Sequence, residues 1–252
     1  MTKLIVKVII TGIFMNYKKI IKIGIILFII VFVGGFFVYA QFYFHAEKTA
    51  TDYLNGTEDV NVSKIGNGLF LDGYGNDSAI IFYPGAKVEY TSYLPLFTDL
   101  ASEGIDCYLV EMPFNFAFFA KNSADAIIEN SSYKHYFMAG HSLGGAMAGS
   151  YVNATDKNIT GLIYLSAHMP TEINVPILSI RGTNDGIINL TGYNEAKSMV
   201  KSNFTEIIID GGNHAQFGYY GFQPGDGNAT ITAESQQNQT ADAILKFIDY
   251  YT

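Results

Sequence analysis

The sequence predicts an α/β protein, a mainly parallel sheet with helices on both faces, preceded by one N-terminal transmembrane helix. Three observations predict it. From residue 67 onward, short apolar runs alternate with longer amphipathic stretches, separated by Gly, Pro, Asn and Asp. The 252 residues are 49% hydrophobic and only 15% charged, which suits one domain with a sizeable core and argues against a disordered chain. Ile23–Ala40 is an uncharged apolar run of 18 residues.

The N-terminal part justifies the membrane assignment. At about 1.5 Å per helical residue, the apolar run, extended through Phe42–Phe44, spans the ~30 Å hydrocarbon core. Residues 1–45 hold Lys3, Lys7, Lys18, Lys19 and Lys22 and no acid, whereas the rest of the chain holds all 23 acids. The positive-inside rule then places the N-terminus in the cytoplasm and the remainder outside, with Tyr39, Tyr43 and Phe44 as an outer aromatic belt. A cleaved signal peptide is the alternative. It has a shorter apolar core and a small-x-small cleavage site, and here Val38 precedes Ala40. A second apolar stretch precedes Met15, and a chain started there would keep a compact basic-then-apolar end. The expected organisation is a cytoplasmic end and anchor over 1–45, a polar stalk and entry strand over 46–66, and the main domain over 67–252.

Composition bounds the partners. The acidic main domain argues against nucleic-acid binding, and the N-terminal helix makes the lipid bilayer a partner. The single cysteine, Cys107, permits no intramolecular disulfide and lies in the apolar run Ile105–Val110, where a buried thiol is expected. Ten Asn-x-Ser/Thr sequons begin at Asn55, Asn61, Asn76, Asn130, Asn153, Asn158, Asn189, Asn203, Asn228 and Asn238. That is several-fold more than composition alone gives, and it fits a glycosylated outer surface.

In the main domain, Gly68–Leu71, Ala79–Tyr83, Ile105–Val110, Tyr136–Ala139, Gly161–Leu165, Pro176–Ile180 and Thr205–Ile209 read as strands. Thr91–Glu103, Ser123–Asn130, Leu143–Asn153, Leu190–Lys201 and Gln236–Tyr250 read as helices. Sheets of this kind carry their sites at the carboxyl ends of the strands.

One such end carries Gly140-His141-Ser142-Leu143-Gly144, a G-x-S-x-G between an apolar strand and a helix of small residues. A sharp turn there holds the Ser142 hydroxyl clear of the sheet. It also puts the Leu143 N–H at a helix N-terminus, where a developing oxyanion is stabilised. A serine hydroxyl needs a base. Of the five histidines, His45 lies in the stalk, His135 begins the strand and His141 is inside the turn, while His168 follows the next strand. His214, just after the last apolar strand, is the candidate base. The orienting acid is Asp185, in the loop after Pro176–Ile180, with Asp210 and Asp226 as rivals. The order Ser142, Asp185, His214 is that of serine hydrolases on parallel sheets. Ala86, in Pro84-Gly85-Ala86-Lys87 after an early strand, offers a second oxyanion donor.

Tyr83-Pro-Gly-Ala-Lys-Val, Glu111-Met-Pro-Phe-Asn, Gly140-His-Ser-Leu-Gly-Gly-Ala-Met-Ala, Gly211-Gly-Asn-His-Ala-Gln-Phe-Gly-Tyr-Tyr-Gly and Gln223-Pro-Gly-Asp-Gly together resemble a bacterial and archaeal group of α/β-hydrolases distantly similar to dienelactone hydrolases. The resemblance covers about Asn67–Tyr250. It implies the α/β-hydrolase fold, a Ser142–Asp185–His214 triad and hydrolysis of an ester-like bond. Dienelactone hydrolases use a cysteine nucleophile, and this chain has serine there, so that particular activity is not implied.

The expected function is hydrolysis of a small or mid-sized carboxylic ester through an acyl-enzyme, with no metal or organic cofactor. An acyltransferase or peptidase would use the same triad, and a surface binding protein could keep the fold without catalysis. The apolar loop Phe114-Asn-Phe-Ala-Phe-Phe-Ala is expected near the site, either lining an acyl pocket or belonging to the core.

Overall fold

The structure is a computed structural model that describes residues 2–75, 77–169 and 173–252, with side chains from residue 17 onward. The chain divides into two compact units, Met1–Phe42 and Tyr43–Thr252.

The first unit is one helix, α1 (Thr2–Ala40). Its Tyr17–Ala40 portion has a mean hydropathy of 2.8 and is the one helix, among the described residues, long and apolar enough to cross a membrane. β-Branched residues lower intrinsic helix propensity, so apolar surroundings and not propensity are what such a segment needs to stay helical.

In the second unit, the segment expected as a polar stalk is folded onto the domain. Phe44 N–H donates to the Lys87 carbonyl at 2.7 Å and Glu47 N–H to the Tyr219 carbonyl at 2.8 Å. A short helix, α2 (Lys48–Thr51), buries Ala50 completely, and the Phe44 ring packs on Tyr220. The anchoring residues are few and lie among polar ones, so composition conceals them. Among the described residues, five further α-helices and five 3₁₀ turns accompany one sheet. Its strands are β1 (Asn61–Ile65), β2 (Gly68–Asp72), β3 (Ser78–Tyr83), β4 (Asp106–Val110), β5 (His135–His141), β6 (Gly161–Leu165), β7 (Ile177–Gly182) and β8 (Phe204–Ile209).

The order is β1-β2-β4-β3-β5-β6-β7-β8. β1, β2 and β4 pair antiparallel, and every pair from β4 to β8 is parallel. The α/β expectation and the mainly parallel sheet therefore match the observed architecture.

Helices α3 (Leu94–Ser102) and α7 (Ala233–Tyr251) cover one face, packing on Ile80, Phe82, Leu109, Phe137 and Ile163. Helices α4 (Ser123–Glu129), α5 (Leu143–Ala154) and α6 (Leu190–Met199) cover the other, packing on Ile81, Tyr83, Met138, Leu162 and Tyr164. Both faces are thus apolar, which is why β3 reads as an unbroken hydrophobic run without alternation. The predicted helix Thr91–Glu103 begins instead as a 3₁₀ turn, Tyr90–Tyr93, because Pro95 fits only the first turn of the α-helix that follows.

Five non-glycine residues have positive φ among the described residues: Lys87 (59°), Phe114 (55°), Asn115 (57°), Ser142 (53°) and Ser166 (44°). They follow β3, β4, β5 and β6, four neighbouring strands, at their carboxyl ends. Such conformations cost of order 1–3 kcal/mol each and concentrate at functional sites.

Candidate active site

Ser142 stands between β5 and α5 with φ 53° and ψ −121°, a sharp turn held by its N–H donating to the Leu165 carbonyl at 3.0 Å. Two glycines make the turn possible. A Cβ on Gly140 would lie 2.5 Å from the Gly144 backbone, and one on Gly144 would lie 2.1 Å from the Tyr83 carbonyl oxygen. The close approach at Gly144 sets the loop after β3 against the start of α5. That brings Ala86 and Leu143 into the same neighbourhood, both partly exposed, and neither amide donates to another backbone group among the described residues. First-turn helix amides have no partner within the helix, which leaves them free for an anion.

Tyr93 ties the same two segments together. Its hydroxyl accepts from the Gly85 N–H at 3.2 Å and lies 2.8 Å from His141 Nδ1. Burial raises the Tyr93 pKa, so it keeps its proton as it bonds His141. Burial, and then the neighbouring His214, hold the His141 pKa well below its usual value, so this imidazole is neutral. His141 is therefore a buried structural histidine, as its place inside the turn suggested.

His214 lies in the loop that follows β8, just before the 3₁₀ turn Ala215–Phe217. Its Nδ1 lies 2.9 Å from Asp185 Oδ2, and both side chains are 1% exposed. The second Asp185 oxygen accepts from the Ile187 and Ile188 amides, each at 2.9 Å. Burial pushes the Asp185 pKa up, but the His214 hydrogen bond and charge outweigh it and bring it down to about 2. A permanently ionised acid on Nδ1 fixes the tautomer that leaves Nε2 free as a base.

His214 Nε2 is buried and has no hydrogen-bond partner among the described residues, so Ser142 Oγ is not bonded to it here. The His214 ring lies 4.5 Å from that of His141, the residue before Ser142. Nucleophile–base hydrogen bonds are often long in substrate-free sites. The structure thus joins Asp185 with His214 directly, and it links Ser142 to them only through the neighbouring His141.

The rival acids fare differently. Asp210 is exposed and accepts from the Thr183 hydroxyl at 3.4 Å. Among the described residues, Asp226 makes no hydrogen bond to the imidazole but accepts four backbone amides: Gly186 at 3.0 Å, His214 at 3.2 Å, Ala215 at 2.8 Å and its neighbour Gly227 at 2.8 Å. One carboxylate thereby clamps the Asp185 loop to the His214 loop. The sequence offered Asp226 only as a substitute acid. Its clamping role, like the Tyr93 bridge, depends on contacts between distant segments. Among the described residues, no three His, Cys, Asp or Glu side chains are grouped to hold a metal.

A sheet with one reversed strand, β2, a strained serine turn after β5 and an Asp–His pair after β7 and β8 together define a hydrolase class. Residues 79–238 match the alpha/beta hydrolase family, and the chain belongs to it. No curated protein matches the sequence closely enough to count. Among solved structures, ferulic acid esterase from Streptomyces cinnamoneus aligns with TM-score 0.59 at 17% identity, over 71% of this chain and 68% of that one. Dienelactone hydrolase from Anabaena variabilis aligns with TM-score 0.54 at 14% identity, over 75% and 97%. Thermogutta terrifontis esterase 2 aligns with TM-score 0.53 at 14% identity, over 79% and 98%. Identities this low speak for the shared fold alone.

Proposed function

We propose that the protein is a membrane-anchored, extracytoplasmic serine hydrolase that cleaves a carboxylic ester through an acyl-enzyme. The observation that carries this reading is the buried His214–Asp185 pair at 2.9 Å, whose Nε2 has no hydrogen-bond partner among the described residues and whose ring packs 4.5 Å from that of His141, the neighbour of the strained Ser142. A buried imidazole nitrogen without a partner is costly unless a transient partner completes it.

In this mechanism Ser142 Oγ attacks the ester carbonyl carbon as its proton passes to His214 Nε2. Asp185 stabilises the resulting imidazolium across Nδ1–H. The carbonyl oxygen becomes an oxyanion between the Leu143 and Ala86 amides. His214 then protonates the departing alkoxide, the alcohol leaves, and the acyl group remains on Ser142. Water repeats the sequence: it loses a proton to Nε2, attacks the acyl carbon, and the acid leaves as Ser142 regains its proton. No redox or metal step is required. The names of the similar esterases and of dienelactone hydrolase agree with ester chemistry on this fold.

The test uses the full chain in lipid nanodiscs. Wild type takes up a fluorophosphonate probe and turns over a p-nitrophenyl ester, and Ser142→Ala loses both. His214→Ala costs nearly as much, and adding it to Ser142→Ala changes little more, because the two act as one unit. Wild-type turnover by Ser142→Ala sinks the reading.

A further inference from the structure

We propose that the aromatic loop Phe114–Phe119 is the binding surface for the acyl chain, so that the enzyme takes esters of medium-length aliphatic or aryl acids in preference to acetate. This rests on the reading of Ser142 as nucleophile.

The sequence left this loop as either an acyl site or core. Core is excluded: Phe114 is 40% exposed and Phe118 and Phe119 are each 47% exposed, while only Ala117 is buried. The rings form one surface cluster. Phe118 and Phe119 have centroids 4.3 Å apart, Phe114 and Phe119 5.7 Å, and Phe116 and Phe118 5.3 Å. Exposed aromatic patches of this kind mark binding surfaces.

Its position ties it to the chemistry. The Asn115 carbonyl accepts from Lys87 N–H at 2.7 Å, and Lys87 is the residue after Ala86. The turn Ala117–Phe119 packs on α5, whose first residue is Leu143. The loop is therefore fastened to the residue after the Ala86 donor and packs on the helix that Leu143 opens. It follows β4, and β4 lies next to β3, the strand that leads into Ala86. Two consecutive residues, Phe114 and Asn115, hold left-handed conformations there. Neither is glycine, so the surroundings hold this conformation, and the Asn115 carbonyl is fastened to Lys87.

An ester carbonyl seated at Leu143 and Ala86 would then extend its acyl chain over phenyl faces. The occupant these rings fit is apolar and uncharged. Each methylene transferred from water to such a surface improves binding severalfold, so discrimination grows with chain length until the cluster is covered.

The experiment measures kcat/KM for p-nitrophenyl acetate and p-nitrophenyl octanoate with the full chain in lipid nanodiscs. The expected wild-type preference for octanoate is on the order of 100-fold. Phe118→Ala and Phe119→Ala are each expected to lower the octanoate-to-acetate ratio about tenfold, and Phe118→Leu to keep most of it. Tyr250→Ala, an exposed aromatic on α7, is the control and leaves the ratio alone. Fluorophosphonate labelling of each variant reports a folded site. A wild type without octanoate preference overturns the proposal. So does an unchanged ratio in the Phe118 and Phe119 variants, including the case where they lose vesicle binding instead, which would make the loop a membrane contact. A wild type that takes no probe and turns over no ester fails the nucleophile reading itself.

Discussion

Asp185 and Asp226 are both carboxylates beside His214, and their contacts assign them different work. Asp185 bonds the ring, whereas Asp226 bonds the backbone on either side of it. Asp185→Asn is expected to lower kcat on the order of 10⁴-fold, since an amide no longer holds the required tautomer. Asp226→Asn replaces one acceptor oxygen by an amide group that faces amide donors. It should lower kcat about 10- to 100-fold with KM little changed, because loop placement and not substrate contact is lost. Asp210→Asn should stay within about twofold, as expected for an exposed side chain with one long hydrogen bond. Steady-state kinetics of the three variants check the ranking. Full activity of Asp185→Asn beside a dead Asp210→Asn would reverse the assignment.

The element that matters most is the junction of β5 with α5. Its backbone is strained at Ser142, and the strain persists because the surroundings leave no alternative: α5 lies against the Tyr83 and Pro84 carbonyls through Gly144. Gly144→Ala forces a methyl group into those carbonyls. The expected cost is about 2–3 kcal/mol, with probe labelling lost because α5 is pushed off the β3 loop. Thermal unfolding followed together with labelling checks this. A variant that labels at the wild-type rate would show that the close approach is not needed for the site. Helix α7 is capped by the Thr232 hydroxyl, which accepts from Ser235 N–H at 3.1 Å; its Phe247 packs on the sheet face it covers, and its Gln236 Oε1 accepts from the N–H of Asn213, the residue before His214, at 3.0 Å.

At the scale of the whole molecule, the question is where the domain resides. The apolar helix and the lysines before it support an anchor with a cytoplasmic N-terminus. The sequons support the same topology: nine of the ten asparagines are exposed, and Asn76 lies outside the described residues. Protease added to intact cells should cut the domain, and in a host with N-glycosylation the native mass should exceed the sequence mass by sugar increments. Full protection of a membrane-bound protein would overturn the topology, and bare asparagines at all ten sites would return the sequons to composition. The folded segment around Phe44 and Ala50 adds a boundary condition. A soluble fragment begun at Ala46 would lose the Phe44 pairing with Lys87 and Glu89, so the domain should be cut before Tyr43.

By itself the sequence determined the α/β class, the apolar helix, the serine turn and the chain order of the candidate triad. These are local features: hydrophobic period, glycine spacing and strand-end placement all lie within a few neighbouring residues. Only the tertiary structure decided which acid meets His214, that Asp226 clamps two loops, that Tyr93 joins Gly85 to His141, and that the Phe114–Phe119 rings face outward. It also turned the expected stalk into part of the domain. Each of these depends on contacts between segments tens of residues apart, and such contacts are set by how the strands order in the sheet, which no local pattern encodes.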